Sequence, residues 1–164
     1  MSPRANKRTD EYGGSFENRM RSNIKNMNIA IVGSGMTGLE TAGVLLGKGN
    51  KISMYDMLDE IAKGAEKQNR FVDMTHLEEN GVKFYTNHKA KEITREGVIF
   101  ENLITGELVT GKADLVILSL GINSNTMLES LSQAFDKVVF VGDCVSPGKI
   151  VDATSSGLLE LWTI

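Results

Sequence analysis

Six consecutive residues raise the first chemical question. Gly33-Ser34-Gly35-Met36-Thr37-Gly38 places glycine at its first, third and sixth positions, and Asp56 follows 18 residues after the last of them. Gly33 permits a sharp turn, Gly35 has no Cβ to keep a pyrophosphate off the backbone, and Gly38 lets a helix pack close to a sheet. The main chain of Ser34, Met36 and Thr37 completes the loop. Free N–H groups and the positive dipole end of the following helix would hold phosphates. A carboxylate about 20 residues on accepts hydrogen bonds from ribose hydroxyls. Asp56 would repel a 2′-phosphate, and Met57-Leu58-Asp59-Glu60 brings no arginine, so the pattern favours NAD(H) over NADP(H). Glycines at this spacing also arise from close packing alone, and an acid at position 56 also reads as a solvated turn residue. Structural context separates these readings.

The surrounding elements supply that context. Asn28 to Val32 is a short apolar run leading into Gly33, as a buried strand would be, and Leu39, Ala42 and Leu46 then recur at helical spacing. Lys48-Gly49-Asn50 closes that helix with a cation and a glycine able to take positive φ. Lys51 to Tyr55 reads as a second strand, Ala62 to Glu79 as a helix with Phe71, Met74 and Leu77 on one face, and Val82 to Tyr85 as a third strand after Asn80-Gly81. A β-α-β-α-β series implies a parallel sheet with right-handed crossovers. Ala90 to Ile93, Gly97 to Asn102 and Glu107 to Thr110 then form an antiparallel three-strand meander, and the apolar run Asp114 to Leu120 returns to the buried sheet. Val138 to Val141 reads as one more strand. Ile150 to Ile164 reads as a final helix with Val151, Thr154, Leu158 and Leu161 near helical spacing. A methyltransferase also puts a glycine loop after its first strand, but the third glycine and the meander argue against one.

Composition narrows the classes further. With 164 residues, 41% hydrophobic and 24% charged, the chain suits one soluble domain, or one domain and a tail. Its net charge of −3 gives no electrostatic case for nucleic acid or an anionic membrane. One cysteine and two histidines exclude an intrachain disulfide and argue against an iron–sulfur cluster or a zinc site, so no metal is expected. No apolar run approaches the ~18 residues of a membrane span. No secretory signal core opens the chain, so a cytoplasmic protein is expected, with Cys144 a free thiol. Residues 1–26 carry Arg4, Lys7, Arg8, Arg19, Arg21 and Lys25 among few apolar residues, and read as a solvated tail. His76 and His88 read as surface or packing residues, and the eight methionines as filler of core and loops. No Ser/His/Asp or Cys/His set supports hydrolase chemistry.

Three stretches carry a resemblance. Ile31 to Ala42 (IVGSGMTGLETA), Met54 to Ala62 (MYDMLDEIA) and Ala113 to Gly121 (ADLVILSLG) resemble the NAD(P)H domain of the two-dinucleotide-fold flavoprotein reductases. That group includes the disulfide reductases and the C-terminal half of the 2,4-dienoyl-CoA reductase and enoate reductase family. The resemblance implies an α/β, Rossmann-like dinucleotide-binding fold whose meander is the crossover to the next parallel strand. It also implies that Glu40 faces the nicotinamide and flavin edge. Gly121, opening Gly121 to Asn125 after a strand, would border the nicotinamide. Phe140 to Gly148 (FVGDCVSPG) resembles the second FAD-binding motif of that group, which places Asp143 against the flavin's ribityl–phosphate chain, with Cys144 only a neighbour.

Ser2 to Arg21 is similar to a loop of the Old Yellow Enzyme barrel, which binds FMN and precedes the FAD and NAD(P)H domains in dienoyl-CoA reductase-like enzymes. Most of that barrel, its four-cysteine 4Fe-4S motif and the first FAD half have no counterpart here. The junction near Met20 to Met27 resembles a large deletion, so a truncated, spliced or fragment product is expected. The expected layout is a barrel-loop remnant over 1–26, an NAD(H)-binding domain over 27–137 and a partial FAD segment over 138–164. NAD(H) is the expected cofactor, the FAD site is incomplete, and FMN and 4Fe-4S belong to full-length relatives. In an intact relative hydride passes from NADH to FAD. This chain acts either as the NAD(H)-binding module of such an oxidoreductase or as a non-catalytic fragment that needs a flavin-domain partner or a second copy.

Overall fold

The computed structural model describes residues 24–124 and 135–162. They fall into two compact units divided between Leu120 and Gly121, and each is taken by itself. The first holds β1 (Asn28–Val32), α1 (Met36–Leu45), β2 (Lys51–Tyr55), α2 (Lys67–Glu79), β3 (Lys83–Tyr85), β4 (His88–Thr94), β5 (Gly97–Asn102), β6 (Leu108–Lys112) and β7 (Leu115–Leu118). Four strands pair in parallel in the order β3-β2-β1-β7, and β4-β5-β6 form a separate antiparallel sheet. The α/β, Rossmann-like reading is therefore correct, and the meander joins β3 to β7.

Period-two alternation along β1 builds two cores. Ile29 and Ile31 face Leu39, Ala42, Met54 and Leu77 on the helical side. Ala30 and Val32 face Tyr55, Val98 and Phe100 on the meander side. Fully burying side chains of this size stabilises the fold by roughly 1.5–3 kcal/mol each, so β1, apolar on both faces, anchors the unit. Tyr55 lies between two rings, 4.0 Å from Phe100 and 4.7 Å from Tyr85 between centroids.

Some boundaries differ from the sequence expectation. The second helix begins at Lys67, not Ala62, because Ala62 (φ 49°) and Gly64 (φ 85°) are left-handed and turn the chain. Phe71 is 71% exposed, and the packed side of α2 carries Met74 and Leu77 instead. Helix α1 stops at Leu45, where Asn50 donates its side-chain N–H to the Leu45 carbonyl (3.0 Å) across a left-handed turn that includes Gly49. The meander strands lie within two residues of expectation, β4 starting earlier and β6 later.

Among its described residues the second unit holds a 3-10 turn at Gly142–Cys144 and α3 (Ile150–Leu161). Helix α3 starts where expected, while Thr163 and Ile164 lie outside the described residues. Val138 to Val141 is not a strand: apolar β-branched residues suit one, but no neighbouring strand pairs with them among the described residues. Among the described residues no helix is long and apolar enough to cross a membrane.

Candidate functional site

The glycine loop lies between β1 and α1, at the carboxyl edge of the parallel sheet. Gly33 (φ 98°) makes the turn, and its N–H donates to the Tyr55 carbonyl (2.8 Å). A Cβ on Gly33 would collide with the Ser119 carbonyl, and one on Gly38 with the Gly33 carbonyl. The protein's own packing therefore requires both glycines. Gly35 is different. Its backbone is extended (φ −62°, ψ 176°), a conformation open to any residue, and a Cβ there would meet no protein atom within 4 Å. Among the described residues nothing requires glycine at 35, and the space beside it is open.

Gly35 is also the N-cap of α1. No side chain caps this helix, and no acid lies in its first turn. The first N–H groups of a helix have no intrahelical partner, so those of Met36 and Thr37 open toward a position that suits an anion. The chain's own groups fit a diphosphate there: backbone donors, an open approach and no acid in the helix's first turn.

Asp56 sits just past β2 and holds this loop. Its Oδ2 accepts from the Ser34 N–H (2.7 Å) and the Ser34 hydroxyl (2.6 Å), and its Oδ1 accepts from the Leu58 N–H (2.9 Å). Ser34 is 0% exposed, so Asp56 supplies the partner its hydroxyl needs. The Ser34 carbonyl accepts from Ala62 N–H (2.9 Å), which ties the turn after Asp56 to the loop as well. Asp56's own backbone is held by β3 and β4, its N–H donating to Tyr85 and its carbonyl accepting from His88. A carboxylate has about four lone-pair positions, which leaves room for a further donor. Sequence reasoning placed Ser34 in the loop but missed its bond to Asp56. A small hydroxylic residue between two glycines, with an acid at the next strand end, was the available signal.

Of the three cations that follow Asp56 up to residue 70, Lys63, Lys67 and Arg70, the first and last are engaged by neighbouring acids. Lys63 Nζ lies 3.0 Å from Asp59, and Arg70 pairs with Glu60. The Lys63 hydrogen bond and charge hold the exposed Asp59 carboxyl below its usual range, and Asp59 raises Lys63 in return. On the meander side of the sheet, burial pushes the Tyr55 hydroxyl above its ordinary value, helped by Tyr85 and opposed by a hydrogen bond with Ser53.

The remaining candidates are dispersed. Glu40 is exposed on α1, on an apolar groove of about 630 Å³ shared with Val44, Leu115 and Ile117. His88 bonds through Nδ1 to the Thr86 carbonyl (2.6 Å), edge-on to the tyrosine stack, and His76 is exposed on α2. In the second unit Gly121 is left-handed (φ 76°) and exposed. Asp143 is exposed in the 3-10 turn, where its Oδ1 accepts a long contact from Gly148 N–H (3.4 Å), and Cys144 bonds to the Val141 carbonyl. Asn125 and Ser2 to Arg21 lie outside the described residues.

Comparison with known proteins places these features in a family. The chain is 32% identical over 142 residues to an NADH oxidase of Thermoanaerobacter brockii, covering 85% of this chain and 22% of that protein. It is 34% identical over 117 residues to a bilirubin reductase of Mediterraneibacter gnavus (strain CC55_001C), covering 71% of this chain and 18% of the relative. The chain thus spans about a fifth of the length of these relatives. Among solved structures, histamine dehydrogenase from Rhizobium sp. 4-9 superposes with a TM-score of 0.71 at 18% identity, covering 84% of this chain and 23% of that one, a likeness of fold. The family model described as pyridine nucleotide-disulphide oxidoreductase matches residues 12–145, and the chain belongs to that family.

Proposed function

We propose that this chain is an NAD(H)-binding module of an NADH:flavin oxidoreductase of the enoate or dienoyl-CoA reductase type, with a cytoplasmic setting. Gly35 carries the reading: it is the one glycine of the loop that the protein's own packing does not need, and it stands at a helix end with neither cap nor acid. In this role the Gly33 to Gly38 backbone holds the diphosphate. Asp56 positions the loop through Ser34 and takes a ribose hydroxyl on its remaining lone pairs. Glu40 and Gly121 are assigned to the nicotinamide side, and Asp143 to a flavin. The cofactor, when bound, supplies hydride; the protein supplies orientation. NAD(H) is favoured over NADP(H) because Asp56 would repel a 2′-phosphate, and the nearest following arginine, Arg70, is paired with Glu60. Residues 27–137 are assigned to this module and 138–164 to an incomplete FAD segment, while FMN and a 4Fe-4S cluster are assigned to longer relatives.

Titration of purified protein with NADH and NADPH, followed by nicotinamide fluorescence, tests the reading. Micromolar NADH binding that Gly35→Asp removes supports it. A folded sample without NADH affinity, or one indifferent to Gly35→Asp, overturns it.

A second reading rests on the exposed apolar surface of α3, where Ile150, Leu159, Leu161 and Trp162 are all exposed. Such a surface suits a fragment that works only with a flavin-domain partner or a second copy. A colourless protein that binds NADH, and gains flavin absorbance only with an added flavin domain, would favour this second reading.

A further inference from the structure

The amino-terminal edge of the parallel sheet, opposite the glycine loop, carries a feature that nucleotide binding does not use. Strands β2 and β3 each begin with lysine. Ser53 is in register with Lys83, and Asn28 with Lys51. Lys51 and Ser53 are two apart on one strand, so Asn28, Lys51, Ser53 and Lys83 all leave the same face of the sheet. Tyr55, two residues further on, shows which face this is: it packs on Phe100 of the meander. The meander contributes Lys112 at the end of β6. Together these five residues line a cavity of about 410 Å³.

Three exposed ammonium groups therefore share one concave site, and none is ion-paired among the described residues. Asp114 is the carboxylate bonded to this edge, through Asn28. Its Oδ2 accepts from the Asn28 N–H (2.7 Å) and side-chain N–H (2.9 Å), so that oxygen is engaged by neutral donors. Three like charges around a concavity raise the local potential and attract multiply charged anions. Ser53, bonded to the Tyr55 hydroxyl, lines the site as a neutral side chain. The volume exceeds that of a lone phosphate and falls within the ~300–1,000 Å³ of small-ligand sites.

We propose that this cavity is a second anion site, for a linked di- or triphosphate, separate from the glycine loop. Two sources share that chemistry, a nucleotide's phosphate chain and free polyphosphate. The test follows backbone amide shifts of the full chain during titration with inorganic pyrophosphate and, separately, ATP. The expected result is saturable movement of the Ser53, Lys83 and Lys112 amides with either probe. That movement persists in Gly35→Asp, where the loop is blocked. ATP binding more tightly than pyrophosphate identifies a nucleotide, and equal binding identifies free polyphosphate. Lys51→Gln with Lys83→Gln should weaken binding roughly 25-fold, about fivefold per ion pair near a wet surface. The paired arginine variants should retain it, and Lys89→Gln should leave it unchanged. Shifts confined to Gly33 through Gly38 and abolished by Gly35→Asp overturn the proposal, as does unchanged affinity in the glutamine pair. NADH affinity is measured on the same samples, so failure of the nucleotide reading is seen separately.

Discussion

Helices α1 and α3 begin after different caps, Gly35 and Lys149, and their first turns are completed in opposite ways. At α3 the N-cap Lys149 donates its N–H to Asp152 (2.7 Å), an acid three residues inside the helix. Farther along the same helix, Ser156 accepts from Gly142 N–H (2.8 Å). At α1 the cap is Gly35, with no side-chain bond and no acid in the first turn. A helix start favours negative charge. One helix supplies that charge from its own sequence, and the other leaves the position for something else. A capping carboxylate thus marks an end completed within the fold, and its absence beside an unneeded glycine marks an end open to a ligand.

The largest effects should come from the loop, where two glycines three residues or less from Gly35 behave unlike it. Gly33→Ala forces a side chain into left-handed backbone and onto the Ser119 carbonyl. A loss of about 2–5 kcal/mol is expected in urea unfolding, combining the conformational and overpacking costs. Gly35→Asp places a carboxylate in open space at the helix start. Its melting temperature should stay within a few degrees of wild type, while NADH affinity falls about 100-fold or more from like-charge repulsion. If Gly35→Asp unfolds the protein instead, the contrast between the glycines is wrong.

Asp56→Ala comes next and tests how the open end is held. It removes the acceptor for two Ser34 donors and leaves a fully buried hydroxyl without its partner. Loss of stability of roughly 1–3 kcal/mol is expected from the unsatisfied group, with NADH affinity down about tenfold. Adding Ser34→Ala should recover part of the stability but not the affinity, as a double-mutant cycle would show. Equal recovery of both would reduce Asp56 to a loop tether.

These residues also show what could be read in the chain. The loop, β1 and Asp56 were legible because their signals are local: an apolar run, glycine spacing and an acid at a strand end. The Ser34–Asp56 bond spans 22 residues and depends on β1 and β2 lying side by side in register. The apolar run at Val138 to Val141 looks like a strand until it is seen that, among the described residues, no strand pairs with it. Periodicity puts Phe71 on one face with Met74 and Leu77, yet Phe71 is exposed and α2 starts late, where Ala62 and Gly64 turn the chain and Ala62 is bonded to Ser34. Period locates an apolar stripe, while contacts distant in sequence decide which part of it is covered.

Asp152→Ala probes the closed helix and should be milder. Loss of the carboxylate costs about 0.5–1 kcal/mol of helix stability, visible as reduced ellipticity on heating, and NADH affinity should not change. A fall in NADH affinity would mean that the closed end contributes to binding after all.

The smallest effect concerns the aromatic stack on the meander side of the sheet. Tyr55 is buried between Phe100 and Tyr85, and burial raises its hydroxyl above the usual value near 10. In the unfolded chain the same hydroxyl ionises at the ordinary pH, so above about pH 10 the unfolded state binds fewer protons than the native one. Stability must then fall as pH rises from there toward the native value, and it is unaffected below. Tyr55→Phe keeps the ring stack and removes the titrating group. Its denaturation midpoint should decline less between pH 9.5 and 11 than wild type, measured by urea unfolding at about half-unit steps. The stack carries β2 and therefore Asp56, but the phenol oxygen makes no bond to the loop, so NADH affinity at neutral pH should be the same in both proteins. A difference there would show that the loop senses the stack through β2, and the open helix end would then depend on that stack as well as on Asp56.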